Sequence, residues 1–168
     1  RVDSLDADDA ARLAADARKV QVGEWFQLRA LLSRVDGEAV ELGSLAVTPR
    51  LVSHPTESYA MRFTDPSGAT LVFSGDTGMC ESLTDLARGA DVFLCEASWT
   101  HSPDRPPHVH LSGTEAGRVA KQAGVGELLL THIPPWTPRE EVIAEAKAEF
   151  DGPVRAVMCD EVIDIRRS

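Results

Sequence analysis

Apolar residues along this chain fall into short runs, and the character of the runs changes near the middle. From Glu38 to Val52 the residues Val40, Leu42, Leu45, Val47, Leu51 and Val52 lie about a turn signal at Gly43, which predicts a hairpin of half-buried strands. A second strand pair is predicted at Tyr59 to Phe63 and Ala69 to Phe73. Asp65-Pro66-Ser67-Gly68 joins the two, and its Asp, Pro and Gly each favour a reversal. Further on, uninterrupted apolar strands are predicted at Thr70 to Ser74, Asp91 to Cys95, Glu127 to Leu130 and Val154 to Met158, the pattern of strands buried on both faces.

Helices separate these later strands. Ser112-Gly113-Thr114-Glu115 has the form of a capping box, followed by Ala116, Val119, Ala120 and Ala123 on one face and a stop at Gly124. Thr137-Pro138-Arg139-Glu140 predicts a second box with proline at the first helical position and a stop at Gly152-Pro153. A shorter helix carries Leu83, Leu86 and Ala87 and ends at Gly89. Residues 4 to 19, rich in Ala, place Asp6, Asp8 and Asp9 early and Arg18 and Lys19 late, an order that complements a helix dipole. With no internal repeat or linker, the expectation is one α/β domain over residues 1–168, a sheet with helices packed on it.

Composition narrows the function classes. At 168 residues, 43% hydrophobic and 26% charged, the chain can bury a core without disulfides. Its 17 basic and 27 acidic residues give a net charge of -10, which repels polyanions, so nucleic acid is not expected as a general partner. No apolar stretch approaches the ~20 residues that span a bilayer, and no membrane association is expected. Cys80, Cys95 and Cys159 are odd in number and lack metal-finger spacing. They read as small buried residues of a reducing, cytoplasmic compartment.

Three apolar strands end in groups able to bind metal or move protons: Asp76 after Leu71-Val72-Phe73-Ser74-Gly75, Glu96 after Val92-Phe93-Leu94-Cys95, and His132 after Leu128-Leu129-Leu130-Thr131. Ligands collect at the carboxyl ends of strands in open α/β sheets, because the loops converge there. His54, just after a strand, and His108-Val109-His110, just before a capped helix, join the set. Each has an ordinary reading as well. Asp76 suits a turn, His54 a solvated loop, His132 a rigid turn before Ile133-Pro134-Pro135, and Glu96 a helix cap or an arginine partner. His108-x-His110 would place two imidazoles on one face of a strand, a metal-pair spacing. His101 and Cys80 read as structural or surface residues.

Taken in order, His54-Pro55-Thr56-Glu57-Ser58-Tyr59-Ala60-Met61-Arg62, Phe73-Ser74-Gly75-Asp76-Thr77, Cys95-Glu96-Ala97, His110-Leu111-Ser112-Gly113-Thr114-Glu115-Ala116-Gly117 and Thr131-His132-Ile133-Pro134-Pro135-Trp136 resemble the metallo-β-lactamase-fold hydrolases. Within that superfamily they look most like the ribonuclease Z and cyclic-nucleotide phosphodiesterase branch. The resemblance implies the αββα sandwich, of which this chain would be the C-terminal portion. It also implies a site for two divalent metal ions, Zn or Mn. By the same match His54 and His132 would be metal ligands, Asp76 a bridging ligand and His110 the proton donor to the leaving group. Two such ions clamp a phosphodiester and activate a water, and a nearby imidazole supplies the proton. Tyr59, Arg62 and Trp136 are candidates for the substrate pocket, with Glu96 and Thr77 supporting the ligands from behind.

One element of the family pattern is absent. The His-x-His-x-Asp-His motif normally precedes the histidine matching His54, yet residues 1 to 53 hold no histidine and the chain opens on Arg1. The expectation is the C-terminal part of a longer hydrolase, with a degenerate relative as the alternative. The function expected is hydrolysis of small phosphodiesters such as cyclic nucleotides. A tRNA-processing nuclease, a thioester or lactone hydrolase and a non-catalytic binding module remain as alternatives. A possible homodimer follows if an apolar face is left where the other half of the sandwich packs.

Overall fold

The computed structural model describes residues 36–167, so the helix expected over residues 4 to 19 lies outside the described residues. Seven strands form one mixed sheet: β1 (Val40–Leu42), β2 (Leu45–Leu51), β3 (Tyr59–Thr64), β4 (Thr70–Phe73), β5 (Val92–Glu96), β6 (Glu127–Thr131) and β7 (Val154–Ala156). Their order in space is their order in sequence. The first four pair antiparallel through hairpins, and β4 to β7 run parallel. Each parallel step is made by a helix: α1 (Glu81–Ala87), α2 (Gly113–Ala123) and α3 (Arg139–Glu149).

Strand alternation explains the layering. Ala60, Val72, Phe93, Cys95, Leu128, Leu130 and Val154 face one side and share a core with Leu83 and Ala87 of α1, Val119 of α2 and Val142 of α3. The opposite side carries Leu71, Phe73 and Leu94, which are half-buried, beside Val47, Tyr59, Val92 and Leu129, which are buried. The α/β expectation holds, with the helices packing on a single face of the sheet.

Two close approaches set the helix layer. A Cβ on Gly113 would stand 2.1 Å from the Val142 carbonyl oxygen, and one on Gly117 would stand 2.6 Å from that of Ala146. These glycines, one helical turn apart, let α3 lie directly on α2. Ser112 caps α2 as expected, accepting from Glu115 N–H at 3.2 Å while Glu115 accepts from Ser112 N–H at 2.9 Å.

Three expectations are corrected. Thr137 does not cap α3. The N-cap is Pro138, and the Thr137 hydroxyl donates instead to the Ser98 carbonyl at 2.9 Å. His108-x-His110 is not on a strand: His108 sits at φ 62°, which breaks the alternation that would align the two imidazoles. Of the cysteines, only Cys95 is buried, with Cys80 half-buried and Cys159 exposed. No described helix is long and apolar enough to cross a membrane.

Candidate metal centre

The carboxyl ends of β4, β5 and β6 lie side by side, and the β2–β3 loop reaches the same edge because Leu51 pairs with Tyr59 at the close of β2. Backbone hydrogen bonds tie these loops together. Gly78 N–H donates to the Ser53 carbonyl at 2.7 Å, and Ser74 N–H donates to that of Leu94 at 3.0 Å. Gly75 makes the sharp exit from β4 at φ 61°, where a Cβ would meet the Tyr59 carbonyl oxygen at 2.6 Å. Only glycine turns the chain there, and the turn presents Asp76 at the edge.

Donor atoms of His54, Asp76 and His110 all lie within 4.8 Å of one another, half-buried, with no other such group of three among the described residues. The His110 ring stands 5.5 Å from that of His54 and 5.3 Å from that of His132, centroid to centroid. His132 Nε2 lies 3.9 Å from Asp76 Oδ1, too far for a hydrogen bond and near enough to share a small ion. His132 also holds φ 55°, an uncommon left-handed conformation for a residue with a side chain.

Partners behind the imidazoles orient the rings. His54 Nδ1 lies 3.1 Å from the Thr56 carbonyl oxygen and 3.0 Å from the Thr56 hydroxyl. His110 Nδ1 donates to Glu96 Oε1 at 2.7 Å, which leaves its Nε2 free. Glu96 is almost fully buried and is satisfied by donors alone: His110 Nδ1–H, Thr77 N–H at 2.8 Å, Ser98 N–H at 3.3 Å and the Ser98 hydroxyl at 3.0 Å. It neither caps a helix nor pairs with an arginine. Carboxylate behind imidazole is the usual arrangement around metal-binding histidines.

This donor set fits a divalent cation. Ligand atoms bound at ~2.0–2.2 Å stand about 3–4 Å apart, so a cluster within 4.8 Å closes on an ion with small side-chain movements. Two imidazoles and a carboxylate are the mixed donors that Zn²⁺ and Mn²⁺ accept.

The remaining sequence candidates divide. Thr77 lies behind the cluster, its N–H donating to Glu96 Oε1 at 2.8 Å. Trp136 is 81% exposed and lines an open cleft of about 500 Å³ together with His110 and His132. Tyr59 is buried at the start of β3, its hydroxyl donating to Glu57 Oε1 at 2.6 Å. Arg62 is not brought to the site. Its guanidinium donates to the Leu86 and Arg88 carbonyls at 2.9 and 3.0 Å, satisfying the last turn of α1, which ends away from this edge.

Sequence reasoning missed Ser98, Trp99 and Arg105. Trp99 meets the His110 ring edge-on at 5.4 Å, and the Arg105 guanidinium lies 5.7 Å from the Trp99 ring. The available signal was position: Ser98-Trp99 follows Glu96, the last residue of β5, after the single residue Ala97.

A family model described as a beta-lactamase superfamily domain matches residues 5–133, and a solved structure of that fold aligns with the described sheet and helices. The chain belongs to the metallo-β-lactamase superfamily. An uncharacterized protein of Mycobacterium leprae (strain TN) is 75% identical over 132 residues, covering 79% of this chain and 46% of that protein. YhfI of Bacillus subtilis (strain 168), named a probable metallo-hydrolase, is 38% identical over 112 residues, covering 67% of this chain and 46% of that one. The crystal structure of YhfI superimposes with a TM-score of 0.67 at 35% identity, over 71% of this chain and 48% of that one. A ribonuclease Z of Synechococcus sp. (strain WH7803) is 36% identical over 97 residues, 53% of this chain and 30% of that one. The chain thus spans about half the length or less of these curated relatives.

Proposed function

We propose that this chain carries part of the active site of a metal-dependent phosphodiester hydrolase acting on small substrates such as cyclic nucleotides. The observation that carries the reading is the convergence of His54, Asp76 and His110 on one point, with Glu96 holding His110 from behind. In this reading His54, Asp76 and His132, whose Nε2 stands 3.9 Å from Asp76 Oδ1, hold two divalent ions, Zn²⁺ or Mn²⁺, and His110 beside them is kept for the proton rather than as a ligand. Such ions polarise the phosphoryl group and lower the pKa of a coordinated water.

The residues of the chain do the rest. Thr56 and Glu96 orient the two imidazoles so that each turns Nε2 inward. His110 Nε2, once protonated, would give that proton to the oxygen of the leaving alcohol as the P–O bond breaks, while its Nδ1–H stays on Glu96. The turn at Gly75 holds the Asp76 carboxylate against His132 at the same point.

His110→Gln separates proton donor from ligand. In the intact protein, phosphodiester turnover is expected to fall by roughly 100-fold or more with metal content unchanged, measured by elemental mass spectrometry beside a rate assay. Loss of metal with the rate would make His110 a ligand. A second reading, tRNA 3′ processing, is favoured by the likeness to the cyanobacterial ribonuclease Z. The net charge of -10 speaks for the small substrate. Faster cleavage of precursor tRNA than of cyclic AMP would reverse that choice.

A further inference from the structure

The cleft beside the imidazoles differs in chemistry from the cluster it opens onto. His110 and His132 line it together with Trp99, Ile133, Pro135 and Trp136. Among the described residues no Lys or Arg lines it. Trp99 is a fixed wall. The Arg105 guanidinium lies 5.7 Å from its ring and is itself tied to Glu115 Oε2 at 2.8 Å. Trp136 is the opposite case, a large aromatic ring left 81% exposed. The chain beneath it is stiff: His132 is in the left-handed region, Pro134 and Pro135 follow, and Thr137 N–H closes the turn on the Pro134 carbonyl at 3.0 Å.

We infer that this cleft is the subsite for the base of a nucleotide substrate, stacked on Trp136 while the phosphodiester lies at the imidazole–carboxylate cluster. The inference rests on the phosphodiesterase reading above and adds to it which part of the substrate is recognised, and where. A flat aromatic base matches the walls in shape and polarity. It gains from an indole face that the described residues leave uncovered, and it needs no cationic partner. A substrate made only of sugar and phosphate would leave the apolar walls wet. His110 and His132 belong both to the lining of the cleft and to the cluster, which sets a base in the cleft beside the phosphodiester.

Adenosine 5′-monophosphate and ribose 5-phosphate, which differ only in the base, serve as probes by calorimetric titration of the intact, metal-loaded protein. The wild type is expected to bind the nucleotide at least tenfold more tightly than the sugar phosphate. Trp136→Ala removes most of that difference and leaves ribose 5-phosphate binding and metal content unchanged. Trp136→Phe, which keeps an aromatic face, retains a large part of it. Equal affinity of wild type and Trp136→Ala for the nucleotide overturns the inference, and so does equal affinity of the wild type for both probes. Hydrolysis of bis(4-nitrophenyl) phosphate by the wild type is measured separately. Its absence counts against the phosphodiesterase reading, while the binding comparison still decides the subsite.

Discussion

Glu96 shows how a single buried carboxylate can organise a site. Three N–H groups from three segments converge on it, one of them the His110 imidazole, and its side chain has almost no exposure to water. Truncation would strand those donors in the interior, so Glu96→Ala is expected to cost about 3 kcal/mol in denaturant unfolding and to abolish turnover. A loss below about 1 kcal/mol would mean that the donors find other partners. Glu115 is a second such residue, at the cap of α2. Burial pushes its carboxyl up, but hydrogen bonds from Arg105 and Ser112 outweigh that and hold it below the ordinary 4.5. A depressed carboxylate stabilises the fold above its unfolded-state value and loses that contribution as pH falls through its folded-state value. The stability gap between wild type and Glu115→Gln is therefore expected to be constant near neutrality and to shrink at pH below about 4.5 in unfolding curves. A gap independent of pH would rule out the carboxylate as its source.

Elements were largely legible in the sequence, and the misses have physical reasons. Turn chemistry at Asp65 to Gly68 and the capping box at Ser112 are local, so the residues that form them also announce them. Thr137 carried an equally good local signal, yet the Ser98 carbonyl, 39 residues away, takes its hydroxyl. Arg62 sits near His54 in sequence and lies in a strand whose register carries it past the site to the end of α1. Neither fact can be read from spacing. The α2–α3 contact is another nonlocal feature. An alanine in mid-helix ordinarily stabilises by about 1 kcal/mol over glycine. Gly117→Ala is expected to do the reverse, costing about 1–3 kcal/mol, because its Cβ would meet the Ala146 carbonyl oxygen at 2.6 Å and push α3 off. Thermal unfolding measures the sign, and a stabilised variant would show that α3 yields freely.

At the scale of the molecule, the two faces of the sheet are unequal. One is sealed by three helices, while on the other Leu71, Phe73 and Leu94 are half-buried beside the buried Val47, Tyr59, Val92 and Leu129. Continuous apolar runs in β4, β5 and β6 predict strands covered on both sides, and the described helices cover only one. The chain spans about half the length of its M. leprae and B. subtilis relatives, in a superfamily whose sandwich has two sheets. We expect the second face to be closed in the working protein. Leu71→Asp tests this without touching the site, since Leu71 lies in the first half of β4 and Asp76 follows the end of that strand. A charge forced under a packed layer costs several kcal/mol, whereas the same change on a wet face stays within about 0.5 kcal/mol. Denaturant unfolding of the protein is therefore expected to show a loss of several kcal/mol for Leu71→Asp. A loss within about 0.5 kcal/mol would mean that this face stays open to water and that no second layer forms over it.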